Sequence, residues 1–228
     1  MEVLHNGFTL ELSDGAFPLS TDSIALSGFV RLPKNAKVLD LGSSCGTLGL
    51  LLCAKDPSCH VTGVELDPAA HEMALHNAQV NSISCRLTSI CENISNIPRV
   101  IQNASMTTVV SNPPYFSGGP AAKLTLARRD DQCSMDTLME AAAWALQYGG
   151  DFFLVHRPER LAELFACATK HKLEPKRLQL LRHTATGPVS LVLVQCRKGA
   201  KPGLIWEEEY LYDADGNSSA YRNHLYHL

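Results

Sequence analysis

The segment Asn112-Pro113-Pro114-Tyr115 is the part of this sequence whose residue types and order point most directly to chemistry. It follows an apolar run, and a Pro-Pro pair ends such a run and fixes the loop behind it. The side-chain oxygen of Asn112 and the backbone carbonyl of Pro113 can each accept a hydrogen bond from one amino group. An amine conjugated to an aromatic ring is a poor nucleophile, and this grip would desolvate it and aim it at an electrophile. We therefore predict that all four residues are catalytic and need no metal, the alternative being a simple turn.

The aromatic ring of Tyr115 offers a face on which a planar substrate can stack. A base extruded from its stack gains about 1–3 kcal/mol from such a contact. The N-P-P-Y motif resembles that of amino-methyltransferases acting on adenine in DNA or RNA, on guanine N2 in rRNA, or on glutamine in release factors. All of these substrates present a planar nitrogen, so the motif predicts the reaction class and leaves the substrate open.

A second cluster of candidate residues begins at Asp40 and continues through the Gly-rich segment 42–46. Glycines at the end of a strand let the backbone approach a ligand closely, and the next helix offers its N-terminus. Glu65, 19 residues after Gly46, can accept hydrogen bonds from the hydroxyls of a ribose. This arrangement fits both NAD(P) and S-adenosylmethionine, but Ser44 breaks the G-x-G-x-x-G fingerprint of NAD sites. Asp40 suits a cofactor with an ammonium and a sulfonium, unless it merely caps a turn.

The cofactor site predicted from these patterns is completed by residues near the ends of the neighbouring strands. Asp22 is expected to help close the pocket, although an acid at a helix N-terminus has the same pattern. The glycine-rich segment resembles that of class I methyltransferases, and this resemblance implies that the end of the third strand, here Ser89, contacts the adenine. The predicted S-adenosylmethionine site consists of Asp22, Asp40, Gly42, Ser43, Gly46, Glu65, Leu66, Ser89 and Asn112.

The order of apolar runs and helical patterns predicts an α/β protein. Strand and helix patterns alternate up to residue 171, which is typical of a parallel sheet, and two later runs form a hairpin. The predicted strands lie at 37–41, 60–66, 84–89, 107–111, 151–155, 177–182 and 189–196, and the helices at 47–55, 69–80, 136–148 and 158–171. We therefore expect a Rossmann-like fold with a seven-stranded, mostly parallel sheet, an antiparallel C-terminal hairpin strand and a short N-terminal extension.

Residues 1–228 are predicted to form a single domain. It would comprise an N-terminal extension (1–35), a catalytic core (36–200) and a C-terminal tail (201–228). The extension is expected to hold a strand at 8–12 and a helix that begins at residue 21 or 22.

Charge is unevenly distributed along the chain. The net charge is −3, but residues 117–200 carry 12 Lys and Arg against 8 Asp and Glu. That block could present a basic face to phosphate, the alternative being a solvated mixed surface. Neither a signal peptide nor a membrane span is recognisable, the eight cysteines lack metal-site spacing, and we expect reduced thiols in a cytoplasmic protein. Nothing indicates an obligatory protein partner.

The two motifs resemble those of class I methyltransferases, in which D-x-G-x-G-x-G precedes N-P-P-Y; here Ser44 replaces the middle Gly. The segments 21–26, 127–129, 155–161 and 174–177 extend the resemblance to the bacterial tRNA valine (adenine-N6) methyltransferases. The resemblance implies N6-methylation of the adenine beside the anticodon of a valine tRNA. Residues expected to contact the RNA are Tyr115, Phe116, Lys123, Arg128, Arg129, Arg157 and Arg160, a surface salt bridge being the alternative for each basic one.

Three alternatives stay open at this stage. A release-factor glutamine methyltransferase is expected to carry an N-terminal helical domain, for which the 36 residues before the first core strand leave little room. An rRNA guanine-N2 methyltransferase often has a duplicated domain, and no such duplication is expected here. A catalytically silent RNA-binding module would not need the amine grip of Asn112 and Pro113.

Overall fold

The computed structural model describes residues 2–4, 7–12, 19–113 and 134–226. Helices and strands alternate along most of this part of the chain. The elements, in chain order, are β1 (Glu2–Val3), β2 (Thr9–Leu10), α1 (Thr21–Phe29), β3 (Lys37–Leu41), α2 (Thr47–Lys55), β4 (His60–Glu65), α3 (Pro68–Val80), β5 (Leu87–Cys91), a 3-10 helix (Ile94–Asn96), α4 (Ile97–Val100), β6 (Met106–Ser111), α5 (Met135–Ala145), β7 (Leu146–His156), a 3-10 helix (Pro158–Arg160), α6 (Leu161–Lys170), β8 (Leu173–Thr184), β9 (Val189–Lys198), β10 (Ile205–Tyr212) and α7 (Ala220–Tyr226).

The main sheet of the described part has eight strands in the order β10-β8-β9-β7-β6-β3-β4-β5. Strand β9 is antiparallel to both of its neighbours, and the other pairs are parallel. The chain builds outward from β3 through β4 to β5, and then returns to the other side of β3 with β6. The direction of winding therefore changes between β3 and β6, and ligands of such sheets bind beyond the carboxyl ends of the strands at this place.

Apolar side chains fill both faces of the sheet, because successive residues of a strand point to opposite sides. Val38 and Phe153 belong to the cluster that packs under α1 and α2, whereas Leu39 and Phe152 belong to the cluster under α5 and α6. The rigid two-faced core leaves polar residues at the carboxyl ends of the strands, where the candidate site lies.

The Rossmann-like fold is confirmed, but the expected number of strands was wrong. The eighth strand, β10, comes from the segment that the sequence assigned to a C-terminal tail, and it pairs in parallel with β8. Its pattern of three consecutive glutamates does not resemble a buried strand, because β10 forms the exposed edge of the sheet. The single-domain organisation of residues 1–228 stays a prediction.

Several predicted boundaries also differ from the structure, including those of one helix and one strand beside the site. The helix expected at 136–148 ends at Ala145, and the chain enters β7 at Leu146, where an irregularity in the pairing with β6 accommodates Gly149 at a φ of 78°. The strand expected at 84–89 begins at Leu87 and ends at Cys91. The second shift matters for the site, because it moves Ser89 away from the end of its strand.

Helix α1 is fixed at both of its ends. At its start, Ser20 Oγ accepts a hydrogen bond from Ser23 N, which is the usual role of a serine cap. At its end, the ammonium group of Lys55 donates to the carbonyl oxygens of Ser27, Gly28 and Val30. A cation at this position satisfies carbonyls that have no partner within the helix. Helix α1 thus holds a defined position beside the carboxyl ends of the sheet.

Candidate active site at the carboxyl edge of the sheet

A cleft lies at the point where the winding of the sheet changes direction. It brings together the first turn of α1, the loop between β3 and α2, and the residue that follows β6. Its lining residues are Ser20, Ser23, Asp40, Gly42, Ser43, Ser44, Thr47, Leu48 and Asn112. Four predicted site residues, Asp40, Gly42, Ser43 and Asn112, therefore share one cleft although up to 72 positions separate them in the sequence.

The loop between β3 and α2 is built from left-handed backbone conformations. Gly42 has a φ of 75°, Ser44 of 49° and Gly46 of 79°. A side chain on Gly42 would meet no atom within 4 Å, whereas one on Gly46 would lie 3.3 Å from Ala74 Cβ. Gly42 therefore leaves open space beside the cleft, and Gly46 allows α2 to pack closely against α3. Ser43 packs over Gly63 of β4, where an added Cβ would overlap its hydroxyl.

Glu65 stands at the end of β4 and is held by two backbone amides. Its Oε2 accepts a hydrogen bond from Ser44 N at 2.8 Å, and its Oε1 accepts one from Asp67 N at 2.9 Å. A carboxylate has about four lone-pair positions, so two remain for further donors. The fixed orientation of Glu65 and this remaining capacity suit the two hydroxyls of a ribose.

Asp40 is the most unusual ionisable residue of the cleft. It is only 2% exposed, and within the described residues its Oδ2 has no hydrogen-bond partner. Burial and, to a smaller extent, the charge of Glu65 raise the pKa of Asp40 from 3.8 to about 7. A buried carboxylate is costly unless it is paired, so this position calls for a cationic ligand.

These features fit S-adenosylmethionine better than NAD(P). Two neighbouring carboxylates, Asp40 and Glu65, make the cleft electronegative, which favours an ammonium and a sulfonium and disfavours a pyrophosphate. Gly42 leaves room beside them, and Asp40 Oδ2 has no hydrogen-bond partner within the described residues.

Asn112 lies directly after β6 and is held from the side of α1. Its Nδ2 donates a hydrogen bond to Ser23 Oγ at 2.9 Å. This bond holds the side-chain amide by its nitrogen, so its oxygen lies at the end away from Ser23. Pro113 follows in an irregular segment. This arrangement is compatible with the predicted amine grip, while Pro114 and Tyr115 lie outside the described residues.

Two serines that stabilise the site were not among the predicted site residues. Ser23 contacts Asn112 across 89 residues, and Ser111 Oγ donates to the carbonyl oxygen of Leu41 at 2.7 Å. The second bond is buried and ties the end of β6 to the end of β3. Ser23 follows Asp22 and Ser111 precedes Asn112, which are both predicted site residues. The partners of the two serines come near only in the folded chain.

Three other predicted cofactor residues, Ser89, Leu66 and Asp22, are not among those that line the cleft. Ser89 Oγ is 2.8 Å from His71 Nδ1, and β5 continues two residues beyond it. Ser89 was predicted because the strand was expected to end there, and this reason no longer holds. The residues that follow the observed end of β5 are Glu92 and Asn93. Leu66 is 45% exposed just after β4, and Asp22 stands in the first turn of α1. Contacts of these three residues with the cofactor stay predictions.

Two of the predicted RNA-binding residues lie beyond the carboxyl end of β7, on the same edge of the sheet as Asn112. Arg157 is exposed, and its guanidinium donates to the carbonyl oxygen of Ser190 at 3.0 Å. Arg160 forms an ion pair with Glu163. This is the surface salt bridge that the sequence analysis named as the alternative to an RNA contact. Phe116, Lys123, Arg128 and Arg129 lie outside the described residues.

Gly42 and Gly216 provide a matched test of the cleft. Both have positive φ values and neither has an atom within 4 Å of an added Cβ, but Gly216 belongs to a turn near the end of the chain. We expect Gly42→Ala and Gly216→Ala each to lower the free energy of unfolding by about 1–2 kcal/mol, the cost of a left-handed L-residue. Only Gly42→Ala should also weaken S-adenosylmethionine binding, measured by calorimetry. Equal affinities in both variants would contradict the assignment of this loop.

Neither a metal centre nor a membrane span is found in the described residues. No group of three or more His, Cys, Asp or Glu side chains there is arranged to hold a metal ion. No described helix is both long and apolar enough to cross a bilayer.

Together, the fold and the cleft define the class I methyltransferases. The family "Methyltransferase small domain" matches residues 23–167, which is more than half of the chain, and the protein belongs to this family. A "tRNA1(Val) (adenine(37)-N6)-methyltransferase" from Photobacterium profundum is 28% identical over 94% of this chain and 93% of its own. A protein of the same description from Porphyromonas gingivalis is 28% identical over 77% of this chain and 72% of its own.

Solved structures support the same fold. A protein from Agrobacterium tumefaciens described as a predicted O-methyltransferase superposes with a TM-score of 0.77 at 17% identity, over 91% of this chain and 96% of its own. The geranyl diphosphate C-methyltransferase of Streptomyces coelicolor, solved with S-adenosyl-L-homocysteine, gives a TM-score of 0.60 at 12% identity, over 77% and 76% of the two chains. At such identities the likeness concerns the fold alone.

Proposed function

We propose that this protein transfers a methyl group from S-adenosylmethionine to N6 of an adenine in tRNA, the adenine beside the anticodon of a valine tRNA. The observation that carries the proposal is the placement of Asn112 and Asp40 in one cleft, with the amide of Asn112 held through its nitrogen. The relatives described as acting on adenine 37 of tRNA1(Val) support this choice of substrate.

Each residue of the cleft has a distinct task in this proposal. S-adenosylmethionine supplies the electrophilic methyl group when it is bound. Asp40 holds its ammonium group, and Glu65 accepts hydrogen bonds from its ribose. Asn112 Oδ1 and the carbonyl oxygen of Pro113 accept the two N–H bonds of the adenine amine, which removes water from the nitrogen and directs its lone pair.

The RNA is expected to approach along the carboxyl edge of the sheet. Tyr115 and Phe116 would stack on the extruded adenine, and Arg157 would contact a phosphate. Lys123, Arg128, Arg129 and Arg160 complete the proposed RNA surface. A location in the cytoplasm, where tRNA is processed, is part of the proposal, and the described cysteines carry free thiols.

The test is methyl transfer from radiolabelled S-adenosylmethionine to an unmodified valine tRNA transcript, followed by nucleoside analysis. We expect labelled N6-methyladenosine, and no label in a transcript whose adenine 37 is replaced by guanine. Label in rRNA or in a release factor instead would keep the methyltransferase and overturn the substrate. Measurable cofactor binding without label in any of these would favour a silent RNA-binding module.

A further inference from the structure

Asn112 must present the oxygen end of its side-chain amide to the substrate. A primary amide has a donor end and an acceptor end, and a half-turn of the side chain exchanges them. Only the oxygen can accept the N–H of an amine. If the nitrogen faced the substrate instead, two donors would confront each other and the grip would fail.

A contact with α1 favours this orientation. Asn112 Nδ2 donates to Ser23 Oγ at 2.9 Å, and Ser23 is 7% exposed, so water does not readily replace this partner. Ser23 Oγ also lies 3.5 Å from Ser20 Oγ, which offers an acceptor for the hydroxyl proton. With that proton directed to Ser20, the lone pairs of Ser23 face Asn112 and favour the amide nitrogen on this side.

Ser23 can impose this orientation because its helix is firmly held. Lys55 binds the carbonyl oxygens at the end of α1, and Thr21 Oγ1 lies 3.1 Å from the hydroxyl of Tyr226 on α7. The side chain of Leu225 fills the space beside Gly28, which has no Cβ to oppose it. The serine hydroxyl therefore sits at a fixed point relative to β6.

We propose that Ser23 is a positioning residue for methyl transfer, whose hydroxyl binds the amide nitrogen of Asn112 and thereby turns the amide oxygen toward the substrate amine. The inference rests on the proposed function for its substrate, but the bond between Ser23 and Asn112 is testable without any substrate. Its loss should slow turnover and leave the binding of the cofactor and RNA nearly unchanged.

The kinetic test compares Ser23→Ala with Ser27→Ala. Ser27 lies on the same helix, and its hydroxyl donates to the carbonyl oxygen of Ile24 within that helix. We expect Ser23→Ala to lower kcat about tenfold with KM for tRNA within about twofold, as for the loss of one hydrogen bond, and Ser27→Ala to leave kcat unchanged. In an Asn112→Ala background, Ser23→Ala should cost nothing further. A full additional loss there would overturn the proposal.

A second pair of variants guards against misfolding. Ser23→Thr keeps the hydroxyl and Ser23→Val has nearly the same shape without it, so their kcat values should differ about tenfold. Equal values would overturn the proposal.

Independent of activity, the side-chain amide resonance of Asn112, identified in ¹⁵N spectra by its absence in Asn112→Ala, should shift in Ser23→Ala and not in Ser27→Ala. An unshifted resonance in Ser23→Ala would show that the bond is absent. A shifted resonance in a protein that does not methylate tRNA would overturn the proposed substrate and leave the positioning of Asn112 intact.

Discussion

Replacing Asp40 by Asn should make the protein without its cofactor more stable at pH 8 and weaken its binding of S-adenosylmethionine. In the folded protein the pKa of Asp40 is raised from 3.8 to about 7, first by burial and then by Glu65. Between these two values the folded state binds more protons than the unfolded chain, so the free energy of unfolding falls as pH rises through this window. The full loss corresponds to about 4 kcal/mol, since one pKa unit is worth about 1.4 kcal/mol.

Urea unfolding of the two proteins at pH 5 and pH 8 measures this effect. Asn carries no charge at either pH, so the advantage of Asp40→Asn should grow with pH and reach a few kcal/mol at pH 8. Asp136→Asn is the control of opposite sign, because Lys170 and His171 lower the pKa of Asp136. That variant should gain no stability at pH 8. An advantage of Asp40→Asn that does not grow with pH would contradict the buried, unpaired carboxylate.

Cofactor affinity should respond in the opposite direction. Loss of a charge-assisted hydrogen bond is expected to raise the Kd for S-adenosylmethionine about 10–100-fold. In the unaltered protein the affinity should increase from pH 6 to pH 8, because Asp40 must lose its proton before it can pair with the ammonium group. Titration calorimetry at both pH values tests the two statements, and an unchanged Kd in Asp40→Asn would remove Asp40 from the cofactor site.

Asn112→Ala should lower kcat about 10²–10³-fold, the range found when one preorganised polar contact to a reacting group is deleted. The affinity for S-adenosylmethionine should fall by at most about tenfold, the worth of one ordinary hydrogen bond. Single-turnover methylation of the valine tRNA and calorimetry with the cofactor measure the two quantities.

The control is an asparagine-to-alanine substitution at the other end of β6, at Asn103. Asn103 is exposed in the loop before β6, where its side chain donates to the carbonyl oxygen of Trp144. Asn103→Ala should therefore leave kcat unchanged. If Asn112→Ala kept its turnover, the N-P-P-Y segment would be a turn without a role in the chemistry.

The parts of the site that the sequence predicted are those in which neighbouring residues determine the geometry. A short apolar run that ends in Asp40 and glycines must form a strand followed by a tight loop, and the same holds for the run before Asn112. Because parallel strands end at one edge, the two motifs had to meet near the change of winding. The fold and the cleft followed from these local rules.

The remaining features depend on contacts between distant segments. Neither the bond between Ser23 and Asn112 nor that between Glu65 and the amide of Ser44 has a sequence pattern of its own. Strand β5 is polar at Thr88 and Ser89, so its end could not be placed from hydrophobicity. Strand β10 is acidic because it lies at an exposed edge, where alternation of apolar residues is not required.

The contact between Thr21 and Tyr226 joins positions 205 residues apart, in the first and last α-helices of the described chain. Such pairings form late in folding, because a long loop must close before they are gained. During synthesis, the strands around Asp40 can assemble while the segment that holds α1 is still inside the ribosome. The cleft should therefore reach its final geometry, and the chain its catalytic competence, only after residue 226 has left the ribosome.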